Sequence, residues 1–269
     1  MTMIVVKLGG GDGNRRDAVL EELARCWHAG QRWVLVHGGS ASVDRMADAL
    51  GHPRRTVETP SGNTSRRTDR RTAEIFTTVL AGEINKSIVE QLQGLGVNAV
   101  GLSGLDGRLL EARRKTLRVV ENGRRLILRD DFTGRIERVN AGLLRTLLDQ
   151  GFAPVVCPPA IGQDHEILNV DADRAAAAIA GALDAEQLLL LTGVRGLLRD
   201  PADPGSLIEQ LPAADLGEAL EQHAQGPMRR KLRAAAEALD GGIAQVVIAA
   251  SHGEQPVTGA LAGDGTVIR

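Results

Sequence analysis

The chain has few of the residues that build disulfide scaffolds, metal centres or aromatic cores. Its 269 residues include two cysteines, no tyrosine and only 2% aromatic side chains. Cys26 and Cys157 lie far apart in apolar segments, which excludes a disulfide framework and a cysteine-rich zinc site and favours a reducing compartment. No apolar run approaches the roughly 18 residues that cross a bilayer, and the N-terminus lacks the pattern of a signal peptide. We therefore expect a cytoplasmic protein without a membrane segment.

The chain also has little net charge and very little lysine. Its formal net charge is −2 at pH 7, with 25% charged residues, which argues against a role in binding nucleic acids or anionic membranes. Of its 32 basic residues only four are lysines, at Lys7, Lys86, Lys115 and Lys231. In a chain so strongly biased towards arginine, each lysine is either a chance survivor or a position that requires a compact ammonium group.

Short apolar runs alternate with helical patterns along the whole chain. Strands are predicted at 3–8, 33–36, 97–102, 153–157, 187–191 and 243–249, and helices at 17–28, 40–50, 68–93, 143–149, 173–183 and 228–239. Pro158 and Pro159 are expected to stop the fourth strand. The alternation predicts an α/β fold, a three-layer αβα sandwich with a mostly parallel central sheet. We place a boundary near Asn169, between an N-terminal lobe of residues 1–169 and a C-terminal lobe of residues 170–269.

Two segments depart from this alternation. Residues 51–64 are rich in Pro, Gly, Ser and Thr and are expected to form a loop. Residues 108–138 alternate polar and apolar side chains around Glu121-Asn122-Gly123, which predicts a hairpin.

Three glycine-rich turns follow the carboxyl ends of predicted strands, at Lys7 to Gly11, His37 to Ser40 and Gly101 to Gly104. Ligands bind beyond those ends in an open α/β sheet, where glycine lets backbone N–H groups approach an anion. Two such turns with a lysine favour phosphate binding, although tight turns also use glycine for purely structural reasons. The chain has neither a Gly-Lys dipeptide nor a G-x-G-x-x-G motif, which excludes a Walker A loop and the standard dinucleotide fingerprint.

Other candidate side chains stand at the starts of predicted helices. In the segment from Asn169 to Asp173, either aspartate could cap the following helix, or Asp173 could position nearby ammonium groups. Lys231 is a lysine in a segment otherwise rich in arginine, at the start of another predicted helix.

The long predicted helix begins with a third group of candidates. Thr68 and Asp69 suit an N-cap, and Arg66 just before them could bind a carboxylate through two hydrogen bonds. No Ser-His-Asp or Cys-His set accompanies these residues, and His37 is interpreted as structural.

Five short motifs occur in order from one end of the chain to the other. They are K-x-G-G at Lys7 to Gly10, H-G-G at His37 to Gly39, R-x-T-D at Arg66 to Asp69, N-x-D-A-D at Asn169 to Asp173, and M-x-x-K at Met228 to Lys231. In this order they resemble the amino acid kinase family, and within it the acetylglutamate kinase branch. The resemblance implies the fold shared with carbamate kinases and the ATP-dependent phosphorylation of a carboxylate.

The resemblance also implies roles for the matching residues. Lys7 and Lys231 would contact the transferring phosphoryl group, and Asp173 would organise the two lysines. ATP would arrive with Mg²⁺ and lie on the C-terminal lobe, without a metal site made by the protein. Arg66 and Asn169 would hold the amino-acid part of the acceptor on the N-terminal lobe, which would also carry the contacts of a homodimer or larger homo-oligomer. Backbone N–H groups would bind phosphate and acceptor carboxylate at four glycines, Gly9, Gly10, Gly38 and Gly39.

Two departures from the family pattern qualify these roles. Gly193 stands where the nucleotide-side loop of relatives often has Asp or Asn, which bears on the nucleotide contacts and not on phosphoryl transfer. The chain begins almost directly at its first strand, without the extra N-terminal helix of arginine-inhibited relatives, so we expect no such feedback.

Within the branch, the chain is most similar to kinases of lysine biosynthesis that act on 2-aminoadipate attached to a small acidic amino-group carrier protein of the LysW type. Ser40 stands where kinases of free acetylglutamate usually have a third glycine. The alternatives are a kinase of free acetylglutamate in arginine biosynthesis, a bifunctional kinase for carrier-bound glutamate and aminoadipate, and a non-catalytic nucleotide-sensing protein. One methylene group separates the two carrier-bound acceptors and is worth only about 1–3 kcal/mol, so the sequence leaves them open.

The predicted hairpin is strongly basic. Residues 108–138 contain ten basic and five acidic residues, and a second basic cluster comprises Arg54, Arg55, Arg66, Arg67, Arg70 and Arg71. These segments are either a solvated surface of an arginine-rich protein or, as we expect from the resemblance, a docking face for the acidic carrier.

Overall fold

The strands form where the sequence has its short apolar runs. The computed structural model describes residues 3–11, 15–58, 64–121 and 124–269. In these residues the strands are β1 Met3–Leu8, β2 Arg32–His37, β3 Thr56–Glu58, β4 Thr64–Arg66, β5 Ala99–Gly104, β6 Leu110–Arg114, β7 Leu117–Glu121, β8 Arg124–Leu128, β9 Gly134–Val139, β10 Ala153–Ile161, β11 Ile167–Leu168, β12 Gln187–Thr192, β13 Gln210–Leu211, β14 Gln245–Ala250 and β15 Thr266–Ile268.

The six predicted helices are all present, and two further helices, Leu216–Gln222 and Pro256–Ala262, were not predicted. In the same residues the helices are α1 Arg16–His28, α2 Ser40–Ala49, α3 Arg70–Thr77, α4 Asn85–Gly94, α5 Ala141–Asp149, α6 Ala172–Leu183, α7 Leu216–Gln222, α8 Gly226–Asp240 and α9 Pro256–Ala262, with 3₁₀ turns at Asp106–Arg108 and Ala213–Asp215. The long predicted helix is continuous from α3 to α4, but a π-helical stretch at Thr78–Ile84 joins the two. Such wide turns change the direction in which the residues after them point.

The main sheet runs in the order β13-β15-β14-β12-β1-β2-β10-β6-β9, and β5 and β11 also pair with β10. At its centre, β1 pairs in parallel with both β12 and β2. Antiparallel pairs occur towards the edges, at β14–β15 and β6–β9. The predicted mostly parallel central sheet is therefore confirmed.

Successive residues of β1 face two different hydrophobic cores. Val5 packs into one core with residues of α6 and α8 such as Ala176 and Leu232. Ile4 and Val6 pack into the other core, which contains residues of α1, α4 and α9. A strand covered on both faces needs an uninterrupted apolar sequence, which explains why this run could be recognised. Helices on both faces of the sheet make the three-layer sandwich.

The structure corrects two expectations about strands. Strand β10 continues through Pro158 and Pro159 to Ile161. Its pairing with β5 ends at Cys157 and its pairing with β11 begins at Ala160, so the two prolines fall between the paired segments and no ladder hydrogen bond requires their missing N–H groups.

The second correction concerns residues 51–64, which were expected to be a loop. Residues 51–55 contain no helix or strand, but Thr56–Glu58 forms β3 and Thr64 begins β4, and residues 59–63 lie outside the described residues. The predicted hairpin is present as β7 and β8, and its central Asn122-Gly123 lies outside the described residues. Strands β6 and β9 form a second, outer hairpin around it. Together β4, β3, β7 and β8 form a separate four-stranded sheet.

The predicted boundary near Asn169 falls just after β11. The main sheet continues across it, because β1 from the first part of the chain pairs with β12 from the second. The division into two lobes stays a prediction. Within the described residues, no helix combines the length and apolar character that crossing a membrane requires.

Candidate active site

Two lysines from different elements share one buried carboxylate. The Nζ atom of Lys7 lies 2.8 Å from Asp173 Oδ1, and the Nζ atom of Lys231 lies 3.0 Å from Asp173 Oδ2. All three side chains are buried, with residue exposures of 5%, 6% and 7% for Lys7, Asp173 and Lys231. The structure thus brings together three residues that are far apart in the sequence and that were predicted to act as one group.

Local structure explains why Asp173 is available to the lysines. Helix α6 is capped by Asp171, whose side chain accepts hydrogen bonds from the backbone N–H groups of Asp173 and Arg174 at 2.9 and 3.2 Å. Because Asp171 performs the cap, the carboxylate of Asp173 in the first turn is left for the lysines. Lys7 comes from the end of β1, and Lys231 from the second turn of α8.

The cluster holds a net positive charge in a buried place. Burial by itself would raise the pKa of the Asp173 carboxyl, but the two ammonium groups outweigh burial and hold that pKa below its ordinary value. Burial lowers the pKa of Lys231, and the charge of Lys7 adds to this effect, while Asp173 opposes it. One carboxylate between two ammonium groups leaves a surplus positive charge that an anionic ligand would compensate.

The two glycine-rich turns at the ends of β1 and β2 pack backbone against backbone. A Cβ atom at Gly10 would lie 2.2 Å from the nitrogen of Gly39, so no side chain fits there. A Cβ at Gly38 would lie 3.9 Å from the Cβ of Ala172, which places this turn beside the first turn of α6 and therefore beside Asp173.

Only some of the predicted glycine N–H groups are available to a ligand. The N–H groups of Gly9 and Gly38 donate to the carbonyl oxygens of Leu191 and Leu8, both at 3.0 Å. The N–H groups of Gly10 and Gly39 have no acceptor in the described part of the chain. Gly39 is also the N-cap of α2, where the helix dipole favours an anion.

Arg66 contacts helix α2, and Asn169 lies two residues before the N-cap of α6. The Nη1 atom of Arg66 lies 2.6 Å from Asp44 Oδ1 of α2, and its guanidinium lies over the ring of Phe76 at 5.0 Å. The side-chain amide of Asn169 donates to Thr68 Oγ1 at 3.5 Å. Their predicted contacts with an acceptor stay predictions.

Asp131 is a structural residue that sequence reasoning missed. Its side chain is fully buried and accepts from the backbone N–H groups of Thr68 and Thr133, both at 2.9 Å. It thereby fixes the backbone just before α3 against the loop that leads to β9. Asp69 caps α3 as predicted, by accepting from the N–H of Thr72 at 2.8 Å. One acidic residue among several in a charged hairpin offers no signal that would have identified Asp131.

Many of the clustered arginines are engaged within the protein. Arg113 pairs with Glu137 at 2.9 Å. Arg114 donates to the carbonyl oxygens of Asp131 and Arg129, both at 2.6 Å, and lies 4.1 Å from the centre of the Phe132 ring. Among the described residues, the exposed cations of these segments without a carboxylate partner are Arg55, Lys115, Arg118, Arg129 and Arg135.

Known proteins are similar in sequence to this chain over all or nearly all of its length. The model of the amino acid kinase family matches residues 2–250. A [LysW]-aminoadipate kinase from Deinococcus radiodurans is 53% identical over 269 residues, covering 100% of this chain and 92% of that protein. A [LysW]-aminoadipate kinase from Thermus thermophilus is 47% identical over 272 residues, covering 99% of this chain and 100% of that protein.

More distant proteins share the fold. An acetylglutamate kinase from Methanopyrus kandleri is 40% identical over 268 residues, covering 99% of this chain and 100% of that protein. The solved structure of a carbamate kinase from Giardia superposes with a TM-score of 0.69 at 18% identity, covering 99% of this chain and 98% of that chain. This last similarity concerns the fold alone.

Proposed function

The chain belongs to the amino acid kinase family, and from this we propose that it is an ATP-dependent kinase acting on 2-aminoadipate carried by a LysW-type amino-group carrier protein. It phosphorylates the side-chain carboxylate and gives an acyl phosphate in lysine biosynthesis. The relatives at 53% and 47% identity bear this activity in their names. The buried cluster of Lys7, Asp173 and Lys231 is the observation in this chain that carries the proposal.

The proposed reaction requires positive charge and alignment rather than a general base. The acceptor carboxylate is ionised at pH 7. One of its oxygens attacks the γ-phosphorus of ATP, the bond between that phosphorus and the β–γ bridging oxygen breaks, and ADP leaves with the electron pair. Because both reactants are anions, fixed cations must offset their repulsion. Lys7 and Lys231 supply these cations, and Asp173 holds both ammonium groups in place.

The glycine turns complete the proposed anion site. The available N–H groups of Gly10 and Gly39 donate to phosphate or to the acceptor carboxylate, whereas Gly9 and Gly38 shape the turns. The N-terminus of α2 adds the favourable end of its dipole to the same place.

Mg²⁺ enters this proposal as part of the nucleotide. Both oxygens of Asp173 are already engaged by ammonium groups, and the described residues contain no cluster of three or more His, Cys, Asp or Glu side chains suited to a metal ion. The cation would therefore be held by the phosphate oxygens of ATP, where it offsets their charge.

We place the acceptor between Arg66 and Asn169 and the carrier on the basic surface beside them. The four-stranded sheet exposes Leu126 and Ile127, at 44% and 57%, near Arg118 and Arg129, which have no carboxylate partner in the described part of the chain. An acidic carrier would find complementary charge there together with apolar contact area. A cytoplasmic location and a homo-oligomeric state stay predictions of the resemblance.

One assay separates the proposed function from its alternatives. ATP turnover is measured side by side with carrier-linked 2-aminoadipate, carrier-linked glutamate and free acetylglutamate, and the acyl phosphate is trapped as a hydroxamate with hydroxylamine. We expect the highest kcat/KM with carrier-linked 2-aminoadipate. Preference for the free amino acid would make the chain an acetylglutamate kinase, equal use of both carrier substrates would make it bifunctional, and no hydroxamate with any of them would contradict kinase activity.

A further inference from the structure

The geometry points to His37 and Asn85 as positioning residues that hold the Gly38–Gly39 peptide plane and thereby aim the Gly39 N–H group at the transferring phosphoryl group. This inference rests on the proposed phosphoryl transfer. His37 and Asn85 lie behind the glycine turn and act through it.

The two peptides that flank Gly38 are each held by one hydrogen bond. The N–H group of Gly38 donates to the carbonyl oxygen of Leu8, and the carbonyl oxygen of Gly38 accepts from Nδ1 of His37 at 3.0 Å. In a trans peptide the C=O and N–H groups point in opposite directions. With its carbonyl turned towards His37, the peptide turns the Gly39 N–H away from His37, and this N–H has no acceptor in the described part of the chain.

Asn85 sets the tautomer that makes this contact possible. Its side-chain nitrogen donates to the carbonyl oxygen of Val155 at 3.0 Å, and since that oxygen can only accept, the NH₂ end of the amide is identified. The same nitrogen lies 3.1 Å from Nε2 of His37, so Nε2 accepts and the ring proton resides on Nδ1, facing Gly38. Burial lowers the pKa of His37 to about 4, which keeps the ring neutral and this donor pattern unchanged at physiological pH.

Gly101 leaves room for the side chain of Asn85. A Cβ atom at Gly101 in β5 would lie 1.9 Å from Asn85 Oδ1, so the glycine is what admits the amide between strand and helix. Lys86 donates to Asn85 Oδ1 at 3.3 Å and to the carbonyl oxygen of Gly101 at 3.1 Å. Asn85 follows directly after the π-helical stretch at Thr78–Ile84, whose extra width per turn sets the direction in which the residue points.

Two substitutions of His37 test the two hydrogen bonds of its ring separately. The amide nitrogen of asparagine, a donor, can take the place of Nδ1, and the amide oxygen of glutamine, an acceptor, can take the place of Nε2. H37N therefore keeps the donor to Gly38 and loses the contact with Asn85, whereas H37Q keeps the contact with Asn85 and loses the donor. H28Q is the control, because His28 is exposed and contacts a backbone oxygen, that of Leu95, at 3.0 Å.

We expect H37Q to lower kcat at least about tenfold, with KM for ATP changed less than about twofold, and H37N to stay within about threefold of the wild type. Melting temperatures are measured for all three variants. A second readout needs no acceptor: the Kd of MgADP with aluminium fluoride, a mimic of the transferring phosphoryl group, should rise at least about fivefold in H37Q. The Kd of MgADP alone should not change.

The outcomes are distinct. Equal losses of kcat in H37Q and H37N, or an unchanged H37Q, would show that His37 only supports the fold. If the wild type turned over none of the tested carboxylates, the proposed function would fail, while the aluminium fluoride affinities of H37Q and H37N would still decide the positioning role.

Discussion

At the scale of single residues, the central feature is a carboxylate that two lysines share. A buried ammonium group beside another ammonium group is unfavourable unless an anion lies between them. Asp173 provides that anion and, by accepting from both lysines, restricts where each Nζ atom can be. The cluster is thereby prepared for a second anion before any nucleotide binds, which is the condition for electrostatic stabilisation of a transition state.

We expect K7R and K231R each to lower kcat at least about tenfold, which corresponds to about 1.4 kcal/mol of transition-state stabilisation. The charge is kept, but a planar guanidinium is larger than an ammonium group and directs its donors differently. The exposed Lys115 has no carboxylate partner among the residues that the structure describes, so K115R is the matched control and should retain normal turnover. Hydroxamate formation and the melting temperature are measured for each variant; near-normal kcat in both K7R and K231R would contradict the assigned role.

The sequence predicted the members of this cluster better than it predicted the residues that hold the site in place. Lys7 and Lys231 stood out because lysine is scarce in the chain, and Asp173 stood in a motif with two aspartates. Which aspartate caps α6 and which faces the lysines depends on helix geometry, and the sequence left that choice open. Asn85 and Asp131 carry no local signal at all, because their importance arises from partners 48 and 63 residues away.

At the scale of secondary-structure elements, strands buried on both faces were the most predictable parts of the fold. Their side chains have no solvent-facing positions, so the apolar run coincides with the strand, as in β1 and β12. The end of strand β10 was predicted too early. A proline destabilises a strand only where a neighbouring strand would accept a hydrogen bond from its missing N–H group. The π-helical stretch between α3 and α4 was not foreseen, since a long helical pattern in the sequence does not show where a wide turn interrupts it.

The packing of α4 against β5 yields a prediction about glycine. G101A would place a methyl group within 1.9 Å of Asn85 Oδ1, so strand or helix must shift, at a cost of about 1–3 kcal/mol of stability. We expect a lower melting temperature together with a fall in kcat of at least about fivefold, because the displaced amide no longer fixes His37. A Cβ at Gly94 meets no atom within 4 Å, so G94A should alter neither quantity appreciably. Unchanged kcat in G101A at a temperature where it is folded would argue against transmission through Asn85.

At the scale of the whole molecule, the parallel order of the central sheet creates the site. Because β12, β1 and β2 are neighbours and parallel, their carboxyl ends lie side by side, and the turns after them meet beside α6. This adjacency follows from strand order, which periodicity along the chain does not determine. The same applies to the second sheet, where β3 pairs with β7 and brings two basic segments of the sequence onto one surface.

That surface yields the last prediction, which concerns the carrier. Charge reversal at Arg113 and Arg114 would be a poor test, because Arg114 holds two backbone carbonyl oxygens and its loss would disturb the fold. Arg118 and Arg129 are exposed and have no carboxylate partner among the described residues. We expect R118E and R129E each to raise KM for the carrier-linked acceptor at least about threefold and to leave KM for ATP unchanged. Arg199 is an exposed arginine on another loop, so R199E introduces the same charge change as a control.

The salt dependence of KM for the carrier-linked acceptor is a second, independent test. The Debye length falls from about 10 Å at 0.1 M to about 3 Å at 1 M ionic strength, so added salt should raise KM for the carrier-linked acceptor in the wild type and in R199E. In R118E and R129E part of the electrostatic attraction between kinase and carrier is already lost. The salt dependence of KM for the carrier-linked acceptor should therefore be weaker in these variants. A KM for the carrier substrate that responds neither to charge reversal at these two arginines nor to salt would place the docking surface on another face of the molecule. Because free acetylglutamate carries no docking domain, any turnover of it should be insensitive to both arginine variants, which separates a docking defect from damage to the catalytic cluster.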